Sequence, residues 1–205
     1  MQSTKQLHVL QHDESVPRHI SRRELAQALL AGAAAGLISP LSSAVHPIHR
    51  HLLNAALLDS ADANLSAAND KPRFLSVQQF AELDILSEAI VPGSHNARAA
   101  GFIDLLLSAD TKNVQQEFLA SLTAFESASQ SSYRAEIIVL APSQLHTLLT
   151  AVSSADSPGH KHFSYLKQWI SGAYYSSEVG MRELGWTPDR VFSVFPPCSH
   201  TESHS

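Results

Sequence analysis

Ser76-Val77-Gln78-Gln79-Phe80-Ala81-Glu82-Leu83-Asp84-Ile85-Leu86-Ser87-Glu88-Ala89-Ile90-Val91 is the stretch that decides the fold. Val77, Phe80, Leu83, Leu86 and Ile90 recur every three or four residues, which puts them on one face of an α-helix. Ser76 and Gln79 form a capping-box pattern, in which each side chain satisfies an orphan backbone N–H of the first turn. Pro92-Gly93 ends the helix.

The same periodicity continues downstream. Gly101 precedes a short helix from Phe102 to Ser108, and a third helix runs from about Lys112 to Ala128 with Val114, Phe118, Leu122 and Phe125 as its stripe. Ala141-Pro142-Ser143 opens a fourth, with proline near the first turn and Leu145, Leu148, Leu149 and Val152 on its apolar face. Ser157-Pro158-Gly159 is a turn, followed by a helix from His160 to Tyr174 that carries Phe163, Leu166, Ile170 and Ala173. Ser177 caps a last short helix from Glu178 to Leu184, and Gly185 closes it. Ile137-Ile138-Val139-Leu140 is β-branched, but it stands alone, and no run of alternating strands occurs. The expected class is all-α, a single compact bundle-like domain. Upstream, His46 to Asp70 reads as a flexible linker in which Leu52 to Leu58 could form a weak helix. Trp186 to Ser205, with Pro196-Pro197, reads as an irregular tail.

Of 205 residues, 44% are hydrophobic, enough for one real core. After position 44 the chain holds ten Lys/Arg against sixteen Asp/Glu, a balance near −6. That acidic body lacks the basic face a nucleic-acid binder needs. With Cys198 as its one cysteine, the chain has no CxxC or CxxCH pair. It cannot attach a c-type haem in the usual way or hold a four-cysteine cluster by itself.

The N-terminal segment has the order of an export signal. A polar start (Lys5, His8, His12, Arg18) leads to Ser21-Arg22-Arg23-Glu24-Leu25, then to an Ala/Gly/Leu-rich run from Ala26 to Ile38. Pro40 breaks the run, and Ser42-Ser43-Ala44 offers small residues for cleavage after Ala44. Paired arginines ahead of a mildly apolar run mark the twin-arginine type, with Ser21, Arg22, Arg23 and Leu25 as the pattern residues. Ala26 and Gln27 depart from that pattern, which prefers leucine and lysine there. The run is shorter than the ~20 residues of a membrane-spanning helix. The expected division is a signal over 1–44, a linker over 45–73 and a helical domain over 74–205.

Four stretches, with the leader, resemble the gluconate 2-dehydrogenase subunit 3 family. Phe74-Leu75-Ser76 through Ile90-Val91-Pro92 is similar to its opening helix and Ile-Pro step. Ala97-Arg98-Ala99-Ala100-Gly101-Phe102-Ile103-Asp104 is similar to its A-R-x-A-G-V-x-x-F-I-D stretch, compressed. Gly172-Ala173-Tyr174-Tyr175-Ser176-Ser177-Glu178-Val179-Gly180, continuing to Leu184-Gly185-Trp186, matches a tyrosine followed by Ser-x-Glu-x-Gly and a Leu-Gly-aromatic close. Phe195-Pro196-Pro197-Cys198-Ser199-His200 resembles an F-P-G-C-x-H tail, with Pro197 where glycine is usual. Many relatives carry acidic residues after the Ile-Pro step, where this chain has Gly93-Ser94-His95-Asn96.

The resemblance implies a non-catalytic small subunit. It would accompany a large flavoprotein dehydrogenase of the glucose–methanol–choline type, often with a cytochrome c subunit. FAD and haem c would then belong to those partners and not to this chain. The subunit would supply the signal read by the twin-arginine translocase and help the large subunit mature at the periplasmic face of the inner membrane.

No motif for independent chemistry accompanies it. There is no Gly-x-Gly-x-x-Gly after a strand, no Gly-x-Ser-x-Gly and no His-Glu-x-x-His. Twelve histidines is many, yet His46, His49 and His51 read as a mobile polar tail, and His160 and His162, two apart, as solvated start-of-helix residues. Cys198 and His200 are weak metal candidates. Tyr174, Tyr175 and Trp186 suit either core or a partner surface, since large aromatics with polar tips are common at interface hot spots. With Glu178, Gly180, Leu184 and Gly185 they form the candidate interface, and Arg182 with Glu183 reads as a solvated pair. The competing reading is a stand-alone periplasmic enzyme or metal binder that uses the histidines and Cys198. It predicts a concave pocket with converging polar groups, whereas the subunit reading predicts an exposed apolar patch.

Overall fold

A computed structural model describes residues 21–22, 47–51, 54–66 and 71–185. Among them are seven α-helices and no strand: α1 (Ala55–Ser66), α2 (Val77–Ile90), α3 (Ala99–Ser108), α4 (Lys112–Tyr133), α5 (Pro142–Ser153), α6 (His160–Tyr175) and α7 (Glu178–Glu183). The chain is all-α, with short 3-10 turns at His49–His51 and Ile137–Val139.

α2 begins on the expected capping box. Ser76 Oγ accepts from the Gln79 N–H at 3.2 Å, and Gln79 Oε1 accepts from the Ser76 N–H at 3.0 Å. α3 is buried almost all round: Ala99, Ala100 and Phe102 to Leu107 are all inaccessible. A helix apolar on every side belongs in the interior. Its one charge, Asp104, is tolerated there because it accepts from the backbone N–H groups of Arg73 (2.6 Å), Phe74 (3.1 Å) and Leu75 (2.7 Å). These contacts fasten the approach to α2 onto α3.

α4 buries Phe118, Leu122 and Phe125, three of the four residues of its stripe. It runs past the expected end at Ala128 to Tyr133. Ser121, Thr123 and Ser131 donate their hydroxyls to carbonyls one turn back, which satisfies these polar groups within the helix. α6 packs against α2, α3, α4, α5 and α7 and is the axis of the body. Trp169, 0% exposed, meets Phe118 edge-on at 5.6 Å between ring centroids. Ile137-Ile138-Val139 is a 3-10 turn that buries Ile137 and leaves Val139 exposed.

Part of the span read as a flexible linker is helical and packed. Ile48, Leu58 and Ala61 lie in the core, and α1 packs on α3. His51 is buried beside Asp110 Oδ2 at 2.9 Å, and Arg50 Nη2 reaches the same oxygen at 2.7 Å. His51 is therefore held and is not part of a mobile tail. A short Ala/Leu helix with one apolar face is weak alone, but it becomes stable once α3 supplies a surface to cover.

Candidate functional site

The most specific sequence stretch forms a sharp corner between α6 and α7. Ser177 caps α7, its hydroxyl accepting from the Gly180 N–H at 3.1 Å and donating to the Tyr174 carbonyl at 2.6 Å. The helices approach so closely that a Cβ on Gly180 would lie 2.3 Å from the Tyr174 carbonyl oxygen, which is backbone and cannot move aside. Tyr174 is buried and donates to Glu183 Oε2 at 2.7 Å. That bond, with burial, pushes its phenol up to about 12. Arg182 pairs with Glu178 one turn back, at 2.9 and 2.6 Å, so the expected Arg182–Glu183 pair is replaced by two separate contacts.

The loop after α2 lies against this corner. Gly93, at φ +92°, sits under the Tyr174 ring, where a Cβ would come within 3.1 Å of the phenol oxygen. Glu88 folds back over the loop and accepts from the N–H groups of Gly93 (3.0 Å) and His95 (2.8 Å). Burial raises the Glu88 carboxyl, but these bonds and the His95 ring outweigh it and hold it below its ordinary value. His95 Nδ1 lies 2.9 Å from Asp84 Oδ2. Acidic side chains therefore reach this loop from α2, although none stands in Gly93-Ser94-His95-Asn96 itself.

Arg22 is packed into the same region and is only 3% exposed. Its Nη1 donates to the Ala173 carbonyl (3.1 Å) and to Ser176 Oγ (3.0 Å). Nη2 donates to the Ala97 carbonyl at 3.0 Å. The guanidinium carbon lies 3.9 Å from the Phe102 ring centroid. Asp62 Oδ1 accepts from the Arg22 backbone N–H at 3.1 Å. Burial lowers the guanidinium pKa to about 10, with Asp62 opposing that shift.

The candidate interface residues divide by exposure. Tyr174 and Gly180 face inward, and packing explains both. Tyr175, Val179 and Leu184 are the exposed large apolar residues of this corner, at 39%, 40% and 63%. Glu178 sits at the N-terminus of α7, favourably placed against the helix dipole, and Gly185 follows its last turn. Arg23, Leu25, Ala44, Trp186, Cys198 and His200 lie outside the described residues.

Both histidines at the start of α6 are fastened rather than solvated. His160 Nδ1 is 2.8 Å from the Ser153 carbonyl and so must donate, which ties α6 to the end of α5. His162 Nδ1 is 3.1 Å from Ser121 Oγ on α4. No group of three or more His, Cys, Asp or Glu among the described residues is placed to hold a metal ion. An open groove of about 530 Å³ lies between α2 and α4, lined by glutamines, serines and Glu126. Glu82 borders it, its carboxyl raised chiefly by burial.

Asp104, Ser176 and the buried role of Arg22 were missed by sequence reasoning. Asp104 was quoted in a motif, yet the N–H groups it satisfies lie about thirty residues upstream.

Residues 77–189, more than half of the chain, match the sequence model of gluconate 2-dehydrogenase subunit 3. No curated protein and no solved structure matches the chain.

Proposed function

The chain belongs to the gluconate 2-dehydrogenase subunit 3 family, and from that membership we propose a non-catalytic small subunit that travels with a flavoprotein dehydrogenase of the glucose–methanol–choline type. The family match is the observation that carries this reading. FAD then resides in the large subunit, and haem c in a cytochrome partner where one is present. The Ser21-Arg22-Arg23 motif and the apolar run after it support a twin-arginine signal for the assembly, delivered to the periplasmic face of the inner membrane.

The geometry agrees with a binding role. At the α6–α7 corner the polar groups are tied to one another: Tyr174 to Glu183, Ser177 to Gly180, Arg182 to Glu178. Tyr175, Val179 and Leu184 remain exposed, apolar side chains suited to a partner.

The test is affinity capture of tagged protein from periplasmic and membrane fractions, with the eluate read for flavin and haem absorbance and its bands identified by mass. Capture of a flavoprotein in near-equal amount is expected, and Leu184→Glu should abolish it without unfolding the body. Recovery of this chain alone, free of flavin, would overturn the reading. Arg22→Lys with Arg23→Lys should retain both proteins inside the cell, and normal export of that variant would remove the export role.

A further inference from the structure

We propose that the folded body is a receptor for its own Arg22: Ala97, Phe102, Ala173 and Ser176 form a guanidinium site that withholds this arginine from any outside reader until the segment is displaced. The masking of an export signal rests on the function proposed above. The binding site itself does not.

The first argument is assembly. The acceptors lie 75, 151 and 154 residues from Arg22 along the chain. Ala97 belongs to the loop before α3, and Ala173 and Ser176 belong to the end of α6. The site exists only when the start of α3 and the α6–α7 corner have come together. A body that has not folded offers no place for the guanidinium.

The second argument is fit. A buried charge is costly unless it is hydrogen-bonded or paired. Here two backbone carbonyls and one hydroxyl take both terminal nitrogens, while the Phe102 face receives the planar group. A planar fork with donors in several fixed directions suits that set, and the compact ammonium of a lysine does not. The fit is incomplete, because Nε is buried without a hydrogen-bond partner among the described residues. Burial also lowers the guanidinium pKa, so the cradle does not fully replace water. A site of this kind holds its ligand and can still release it.

The third argument is access. A receptor that reads paired arginines needs both guanidinium groups, and Arg22 is 3% exposed. The docked Arg22 is therefore a closed state. The exposed Tyr175 adjoins Ser176 in sequence, so a large subunit that binds Tyr175 is in a position to disturb the cradle.

The first experiment is limited trypsin digestion of the full chain, with the fragment ending at Arg22 followed by mass. Trypsin must draw the arginine into its own pocket, so it reports release of Arg22. Cleavage there should be about tenfold or more slower than in a synthetic peptide spanning Glu14 to Leu30. Ser176→Val, and separately Phe102→Leu, should bring the rate to within about threefold of the peptide. Equal rates in wild type and peptide would overturn the proposal.

Arg22→Gln leaves the body's own residues unchanged and covers the case in which the cradle variants misfold. It should speed amide exchange at Ala97–Phe102 and Ala173–Ser176 about fivefold or more, and unchanged exchange would also overturn the site. In cells, Ser176→Val should be exported at least as fast as wild type, and slower export would refute masking. If neither protein is exported while Arg22 stays protected from trypsin, the export reading fails and the site stands.

Discussion

Removing the Asp104 carboxylate should loosen the whole body, because three backbone N–H groups depend on it. Asp104 is 2% exposed and accepts three backbone N–H groups. These donors differ in what they lose. The Leu75 N–H belongs to a buried residue, whereas Phe74 is half-buried and Arg73 is exposed. An orphaned buried donor costs roughly 1–3 kcal/mol, and one that water can reach costs less. Asp104→Ala therefore loses about 2 kcal/mol at Leu75 and about 1 kcal/mol across the other two, together with some packing, giving roughly 3–4 kcal/mol. Asp104→Asn keeps the shape but turns one oxygen into a donor. With Oδ1 retained for Phe74 and Leu75, the amide faces the Arg73 N–H, whose bond at 2.6 Å is the shortest of the three. The expected loss is about 1.5–2 kcal/mol.

Urea unfolding followed by helical circular dichroism measures these losses, with the slope expected to stay constant because the same surface is exposed. At about 4 °C per kcal/mol for a body of this size, the asparagine variant should melt about 6–8 °C lower. An Asp104→Asn protein within about 0.5 kcal/mol of wild type would refute the reasoning, because exposed sites behave that way and buried caps do not.

Gly180→Ala places a methyl group 2.3 Å from the Tyr174 carbonyl oxygen. It should cost about 1–3 kcal/mol or more by forcing α7 off α6, read as a lower melting temperature. Tyr174→Phe should cost about 1 kcal/mol at pH 8 through the lost bond to Glu183. Its pH dependence is a second signature. The folded-state pKa of Tyr174 is raised to about 12, so the wild-type contribution is complete below the ordinary value of 10.0 and fades as pH climbs through 12. Equilibrium unfolding between those limits should fall more steeply for wild type than for the phenylalanine variant. Ser76→Ala removes the hydroxyl half of the α2 capping box and should cost about 1 kcal/mol, with the loss seen in urea unfolding.

Most helices were legible from a stripe at helical spacing, although a stripe does not mark burial residue by residue: in α2 Leu83 and Leu86 are buried, whereas Val77 is 77% exposed. Their ends were less legible where no side chain marks them. α3 begins three residues before the expected Phe102, since Arg98 enters it in a left-handed conformation with no side-chain cap. α4 outlasts its stripe because Ser129 is buried and Ala128 and Tyr133 still pack against the core. α1 and the turn at His49–His51 were read as linker because their polar residues gave no pattern. Their order comes from Asp110 and α3, which no local pattern contains. The Arg22 site was invisible for a stronger reason. Two of its three acceptors are backbone carbonyls, which every residue possesses, so no residue type announces them.

The stretches that resemble the family sort into two physical groups, and the sorting locates recognition. Asp104 fastens the approach to α2, and Tyr174 bridges Gly93 and Glu183. Gly180 permits the close crossing of α6 and α7, and Ala97 and Ala173 offer only carbonyls, to Arg22. Each of these residues faces inward, so substitution there acts on a partner only by deforming the corner. Tyr175, Val179 and Leu184 face outward on the same short segment, held by the residues behind them. A motif that is mostly internal can still mark an interface, because it fixes where a few exposed side chains stand. Variants at Tyr174 or Gly180 should therefore weaken stability and partner capture together, whereas variants at Val179 or Leu184 should weaken capture alone. That separation distinguishes a corner that builds the surface from exposed side chains that make the contact.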